Sequence, residues 1–226
     1  MLDNAQPREK QDVTDGNVLD VYAIWPTIQG EGPYTGRPAT FIRLAGCNFQ
    51  CTKCDTDYTS KRYQTTVAEI VEAVKCFGYE LVVITGGEPF RQNIGPLCRQ
   101  LVAGGFLVQI ETNGSLSLPN FCWSDVMVIV SPKSGHVHDD IRQHAFAWKY
   151  VVEAGHVDEL GFPTRVLGIP MNVAKPPARD VLVYVQPLDV DDEVANTNHM
   201  LQAVTICLKH PGRLLCLQVH KIAGLK

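Results

Sequence analysis

Short apolar runs recur along the chain, and between several of them the spacing of apolar positions lengthens from every second residue to every third or fourth. The runs predict strands at Val18–Trp25, Thr40–Leu44, Leu81–Ile84, Leu107–Ile110, Val126–Val130, Lys149–Val152, Val181–Val185 and Leu214–Val219. They are rich in Val, Ile and Leu, and several are apolar throughout, as parallel strands covered on both faces are. Helical patterns fall between them. Thr66 caps a predicted helix reaching Phe77, with Glu69 completing a capping box and Val67, Ile70, Val71 and Val74 sharing one face. A second runs from Asn93 to Ala103 and stops at Gly104-Gly105. A third runs from Asp191 or Asp192 to His210 and stops at Pro211-Gly212, and Asp139–Ala147 makes a short fourth. From Gly155 to Asp180 the pattern fades, and Pro163, Pro170, Pro176 and Pro177 point to irregular structure.

Strand–helix alternation implies right-handed βαβ units and an α/β fold. Ligands of such sheets sit beyond the carboxyl ends of the strands. The loops expected there are unusually polar or glycine-rich: TGGEP after Leu81–Ile84, ETNG after Leu107–Ile110, SPK after Val126–Val130 and QPLD after Val181–Val185. After Thr40–Leu44 comes GCNFQCTKCDT, with Cys47, Cys51 and Cys54 spaced C-x3-C-x2-C.

Composition narrows the class. A chain of 226 residues, 45% hydrophobic, can bury about 70% of its unfolded surface and suits one domain, read here as residues 18–226 behind a mobile tail over 1–17. The net charge is −4, and no basic run exceeds two residues, which argues against nonspecific nucleic-acid binding. No apolar run approaches the ~20 residues that span a bilayer. The polar, mixed-charge start lacks a signal-peptide core, so we expect a cytoplasmic protein with no membrane association.

In a reducing compartment, clustered cysteines bind metal more often than they form disulfides. Four-iron clusters usually take four cysteines, one per iron, so the three thiolates here would leave one iron with an open position. The competing reading is a structural zinc site completed by a distant His or Cys; a zinc ribbon would need a second C-x2-C pair, and the chain has none. Cys76, Cys98, Cys207 and Cys216 read as small buried hydrophobes, while Cys122 stands alone. His136 and His138 read as part of a solvated loop.

The combination of C-x3-C-x2-C with the later GGEP resembles the radical S-adenosylmethionine superfamily, which implies an incomplete, TIM-like partial barrel of mostly parallel strands. It also implies a [4Fe–4S] cluster on Cys47, Cys51 and Cys54, with S-adenosylmethionine on the fourth iron. Two short families of that group fit: the activating enzymes of glycyl-radical proteins, and 7-carboxy-7-deazaguanine synthases. TIQGEG at Thr27–Gly32, FIRLAGC ending at Cys47, CDT at Cys54–Thr56, Thr85 before GGEP and QVHK at Gln218–Lys221 resemble the second.

That resemblance implies a radical-mediated ring contraction of 6-carboxy-5,6,7,8-tetrahydropterin with loss of ammonia. It assigns Thr56 to Mg2+, whose preference is for oxygen ligands. S-adenosylmethionine falls to Lys53, Asp55, Gly86, Gly87, Glu88, the segment Ser131, Pro132 and Lys133, and the segment Gln186, Pro187, Leu188 and Asp189. In this loop Gly86 and Gly87 would let backbone approach the ligand, and Glu88 would accept from its ammonium. The substrate falls to Ile28, Gln29, Gly30, Glu31, Arg43, Thr85, His220 and the terminal carboxylate of Lys226, with the Arg43 guanidinium fork suited to a carboxylate. The resemblance further implies an external reductant such as flavodoxin and a homodimer. Read without it, His220 is a satisfied histidine at a strand end.

Overall fold

The computed structural model describes residues 4–178 and 180–225. The chain opens with an antiparallel pair, β1 (Val18–Ile28) and β2 (Pro38–Leu44), to which β3 (Tyr63–Thr66) adds antiparallel against the start of β1. Next come α1 (Val67–Phe77), β4 (Leu81–Gly86), α2 (Gly95–Ala103), β5 (Leu107–Thr112), β6 (Val126–Val130), α3 (Asp139–His144) and β7 (Ala147–Val152). A small hairpin of β8 (Arg165–Val166) and β9 (Ile169–Pro170) precedes β10 (Leu182–Pro187), α4 (Glu193–Lys209), β11 (Arg213–Leu215) and α5 (Val219–Ile222). Among the described residues, nine strands form one sheet in the order β11-β10-β7-β6-β5-β4-β2-β1-β3. From β2 to β11 every neighbouring pair is parallel. No pairing among the described residues joins β11 to β3, so the barrel is partial and open.

Local chemistry explains the helix boundaries. The Thr66 hydroxyl accepts from the Glu69 N–H at 3.2 Å while the Glu69 carboxylate accepts from the Thr66 N–H at 2.8 Å, completing the capping box. At the other end of α1, Gly78 takes φ +74° and returns its N–H to Val74, a left-handed cap that glycine adopts without Cβ cost. Asp192 caps α4 through the Ala195 N–H at 3.0 Å. The second helix starts at Gly95 rather than Asn93, because the Asn93 side chain accepts from the Gly95 N–H at 3.2 Å as a turn.

The two faces of the parallel strands differ in chemistry. Ile42, Ile84, Ile110, Val130 and Trp148 point outward and pack with Val67, Ile70 and Val74 of α1 and Leu97 and Leu101 of α2 in the main core. One residue along, Arg43, Thr85, Glu111, Lys149 and Gln186 point inward to a cavity. Deeper on this inner face the residues turn apolar again: Ala39, Leu81 and Val83 form one cluster, and Ile129, Ala147 and Tyr184 belong to another.

Three expectations change, and one strand appears that none of the apolar runs marks. The last strand ends at Leu215, and Val219 begins α5 instead, because the Cys216 N–H bonds Val185 and the Val219 N–H turns to Gly30. The strand β3 is polar and mostly exposed, so no apolar alternation marks it. Cys76 is exposed, on the outer side of α1. Residues 4–17, expected as a mobile tail, lie along the core: the Asp12 N–H bonds Arg91 O at 2.8 Å, and Asp12 bridges Gln92 in parallel. The described residues between Gly155 and Asp180 are mostly irregular, as the prolines there imply, apart from the β8–β9 hairpin and a Val157–Pro163 bridge. No described helix is long and apolar enough to cross a membrane.

Candidate active site

The cysteine loop leaves β2 at the carboxyl end of the sheet. Gly46, at φ +83°, makes the turn, and its N–H bonds Tyr58 O at 2.8 Å where the loop returns. A Cβ on Gly46 would lie 2.4 Å from Arg91 Nε. The adjacent strand end presses equally close. A Cβ on Gly87 would meet Gly46 O at 2.2 Å, and one on Gly86 would meet Leu44 O at 2.5 Å. These two glycines therefore let one strand end pack against the cysteine loop, a closer neighbour than any ligand.

Cys47, Cys51 and Cys54 all line one cavity. Burial raises all three thiols, Cys47 up to about 12. A thiolate is the metal-binding form, so these sites need a cationic group to ionise them, with Lys133 already favouring the charged form of Cys51 and Cys54. The Lys133 ammonium is tied to Ser131 O at 2.8 Å and Ser131 Oγ at 2.6 Å. Among the described residues, no three His, Cys, Asp or Glu side chains converge as a single-ion site requires. Three thiols on one loop, facing a shared cavity without converging, fit a polynuclear cluster. Thr56 lines the same cavity and donates its hydroxyl to Asp55 Oδ1 at 3.2 Å, an oxygen pair of the kind Mg2+ takes.

Inside the sheet lies a buried charge network. The Lys149 ammonium bonds Glu31 Oε2 and, at 2.9 Å, Glu111 Oε2. The other oxygens are also used: Gln218 Nε2 donates to Glu31 Oε1 at 2.8 Å and Gln109 Nε2 to Glu111 Oε1 at 2.6 Å. Burial opposes the charge on Glu31, but Lys149 and Gln218 outweigh it and hold the carboxyl at about 2. Burial likewise opposes charge on Lys149, and the two carboxylates raise it above the ordinary lysine range.

Arg43 lines the same cavity. Its guanidinium lies 5.1 Å from the Trp25 ring centroid, a cation–π contact, and its buried Nε has no partner in the structure. The Gln29 side-chain amide nitrogen is likewise buried and unpartnered. Buried donors left open in a cavity are paid for by a ligand's acceptors.

The end of the chain covers one side of the cavity. The Val219 N–H bonds Gly30 O at 3.1 Å, and a Cβ on Gly30 would fall 1.9 Å from His220 Nδ1, so only glycine leaves room for that imidazole. Burial lowers the His220 pKa, against the pull of Glu31. The Lys221 ammonium then ties the segment to Asp55 at 3.2 Å and Asp189 at 2.9 Å.

The cavity wall gathers most residues singled out from the sequence. Lys53, Asp55, Gly86, Gly87, Ser131, Lys133, Gln186, Pro187, Leu188 and Asp189 line it, as do Ile28, Gln29, Glu31, Arg43, Thr85 and His220. Gly30 and Pro132 are buried off the wall. Lys226 lies outside the described residues. Glu88 differs from expectation: its carboxylate is fully buried, accepts from Phe90 N, Thr112 Oγ1 and Asn113 N at 3.0, 2.7 and 2.8 Å, and does not line the cavity. With three donors engaged, it braces the β4 and β5 loop ends; burial pushes it up to about 7 despite the donors. His138 caps α3 through the Asp140 N–H, and His136 is exposed.

Sequence reasoning passed over Lys149 and Glu111. The signal was present: each is a charged residue inside or ending an apolar run, at the parity of Gln109 and Val151 on the inner face. Recognising it requires knowing which face turns inward.

An open parallel sheet with three thiols and a ligand cavity at its carboxyl end defines a radical S-adenosylmethionine core. A model of the Radical SAM superfamily accordingly matches residues 41–124. The chain is 36% identical to the 7-carboxy-7-deazaguanine synthase of Rhodospirillum rubrum, over 96% of each chain. It is 37% identical to that of Rickettsia prowazekii, over 94% of this chain and 91% of the relative. The crystal structure of QueE from Escherichia coli shares the fold, with a TM-score of 0.66, 24% identity and coverage of 89% of this chain and 94% of that one. The chain belongs to the 7-carboxy-7-deazaguanine synthase family.

A carboxyl held below its ordinary 4.5 adds stability above that value and loses it as pH falls toward about 2. Glu31→Gln should therefore lower unfolding stability at neutral pH by about 2 kcal/mol, with the gap to wild type narrowing as pH drops below about 4.5. Urea unfolding across that range measures it; a gap that stays constant with pH would contradict the assignment.

Proposed function

We propose that this cavity converts 6-carboxy-5,6,7,8-tetrahydropterin to 7-carboxy-7-deazaguanine with loss of ammonia, a carbon–nitrogen lyase step in 7-deazapurine (queuosine-type) biosynthesis. The observation that carries the reading is the pairing of opposite polarities across one cavity that also holds three cysteines. Arg43 offers a guanidinium with an open donor, suited to the substrate carboxylate. The Glu31–Lys149–Glu111 network sums to one negative charge, counted as two carboxylates and one ammonium, and suits the N–H donors of an aminopyrimidinone edge.

Cys47, Cys51 and Cys54 would hold the [4Fe–4S] cluster. The backbone at Gly86 and Gly87, with Lys53, Asp55, Ser131, Lys133 and Gln186–Asp189, would hold S-adenosylmethionine, and Thr56 would hold Mg2+. When bound, the cluster and S-adenosylmethionine supply the one-electron chemistry that removes a substrate hydrogen. The chain's own residues bind and orient. Arg43 and its strand neighbour Thr85 anchor one end of the pterin, the charged network meets the other, and the segment from Gln218 to Lys221 screens the reaction from water. His220, with its pKa lowered, is neutral at physiological pH and so presents one ring N–H and one ring acceptor.

The same reading includes a cytoplasmic setting, where clustered thiols stay reduced, an external one-electron donor such as flavodoxin, and a homodimer. In support of the dimer, Val194, Leu201 and Leu208 repeat at seven-residue spacing on one side of α4, with exposures of 72%, 60% and 79%.

Three outcomes test these points. Protein reconstituted anaerobically with iron and sulfide, then given the pterin, S-adenosylmethionine, magnesium and a reductant, should form 7-carboxy-7-deazaguanine; an intact cluster without product would sink the assignment. Thr56→Ala should lose magnesium stimulation, and a wild type indifferent to magnesium would remove the role given to Thr56. Light scattering should return the dimer mass, and Leu201→Glu should return the monomer.

A further inference from the structure

The segment Asn4–Asp12 contributes nothing to the sheet or the main core, yet it is bonded along almost the whole cysteine loop. Four loop carbonyls accept from it: Cys47 O from the Glu9 N–H at 2.8 Å, Cys51 O from Asn4 Nδ2 at 3.1 Å, Thr52 O from the Asn4 N–H at 2.9 Å and Thr56 O from Gln6 Nε2 at 2.9 Å. The loop donates in return. The Tyr58 N–H and the Thr59 hydroxyl reach Gln6 Oε1 at 2.7 and 3.0 Å. The segment is itself anchored. Gln11 Nε2 donates to Phe90 O and Ser117 O, both at 2.8 Å. Glu9 pairs with Arg62 and, at 3.3 Å, with the buried Arg91.

From these contacts we infer that Asn4–Asp12 is a clamp that sets the shape of the cluster-binding loop, with Gln6 the positioning residue for Thr56. This rests on the reading of the loop under Proposed function. Between Gly46 and Thr56 the loop has no helix or strand, and its described internal backbone bonding is the single Cys54 N–H to Cys51 O contact at 3.2 Å. A loop so sparsely bonded pays for each fixed residue in backbone entropy, whereas metal ligands must be held to within about 0.5 Å. The clamp supplies the missing constraints from outside the loop. Gln6 holds Thr56 through its carbonyl and Tyr58, two residues on, through its N–H. The Thr56 hydroxyl is thereby kept on the cavity wall.

The test compares Gln6→Leu and Asn4→Ala with wild type after anaerobic reconstitution. Both variants should load iron and sulfide to the wild-type level. Iron should then leave to a chelator about tenfold faster, the factor expected for one or two lost net hydrogen bonds. Gln6→Leu should also need about tenfold more magnesium for half-maximal turnover, because Gln6 bonds Thr56 directly; Asn4→Ala, whose lost Oδ1 accepts from Gln6 Nε2 at 3.0 Å, should shift that requirement less. Asn4→Ala, which also removes the bond to Cys51 O, reads the clamp should Gln6→Leu not fold. Unchanged chelation rates in both variants overturn the clamp, and an unchanged magnesium requirement in Gln6→Leu overturns its role toward Thr56. A wild type that loads no iron overturns the reading of the loop itself, a result distinct from either.

Discussion

The ammonium of Lys149 is buried inside the sheet, and the arrangement around it depends on bringing two carboxylates to that point. Desolvating three charged groups costs several kcal/mol each unless every partner is in place. The carboxylates come from separate parts of the chain: Glu111 ends β5, and Glu31 follows β1. Gln218, from the far end of the chain, satisfies the remaining Glu31 oxygen. One network thus joins the first hairpin, the middle of the sheet and the closing segment. Removing one member leaves the others charged and under-partnered, so the three regions are coupled.

The same network explains why the inner face of the sheet is polar beside the cavity and apolar below it. Parallel strands of this kind are apolar on both faces where both are covered. Here the covering on the inner side is a cavity, so Arg43, Thr85, Glu111 and Gln186 take the inward positions next to it. Ala39, Leu81 and Val83 close the face beneath. The cysteine loop completes the enclosure. It is held by contact more than by its own hydrogen bonds: Gly86 and Gly87 allow two strand ends to touch, and the Lys53 N–H donates to Leu167 O at 3.0 Å at the tip of the β8–β9 hairpin.

Much of this was legible in the order of residues. The capping box at Thr66, the strand centres and the cysteine spacing are local signals, each set by residues within a turn or two of one another. The polar loops after successive strands follow from strand–helix alternation alone, and they do meet at one cavity. The direction of the Glu88 side chain was not legible, for an informative reason. Its motif marks the loop correctly, but a carboxylate's direction depends on which donors surround it, and those are Thr112 and Asn113 on the next strand's loop. The segment from Asn4 to Asp12 was misread because a polar stretch without periodicity looks the same whether it is solvated or hydrogen-bonded to a distant loop.

Taken alone, the sequence determined the parallel α/β architecture, the thiol set and the loops that carry the chemistry, because periodicity, capping and motif spacing are local properties of the chain. Tertiary structure alone decided the pairing of Lys149 with Glu31 and Glu111, the closure of Gly30 over His220 and the bracing of the cysteine loop by Gln6. Each of those joins residues far apart in the chain, and their partners are chosen by burial and by which face of a strand turns inward.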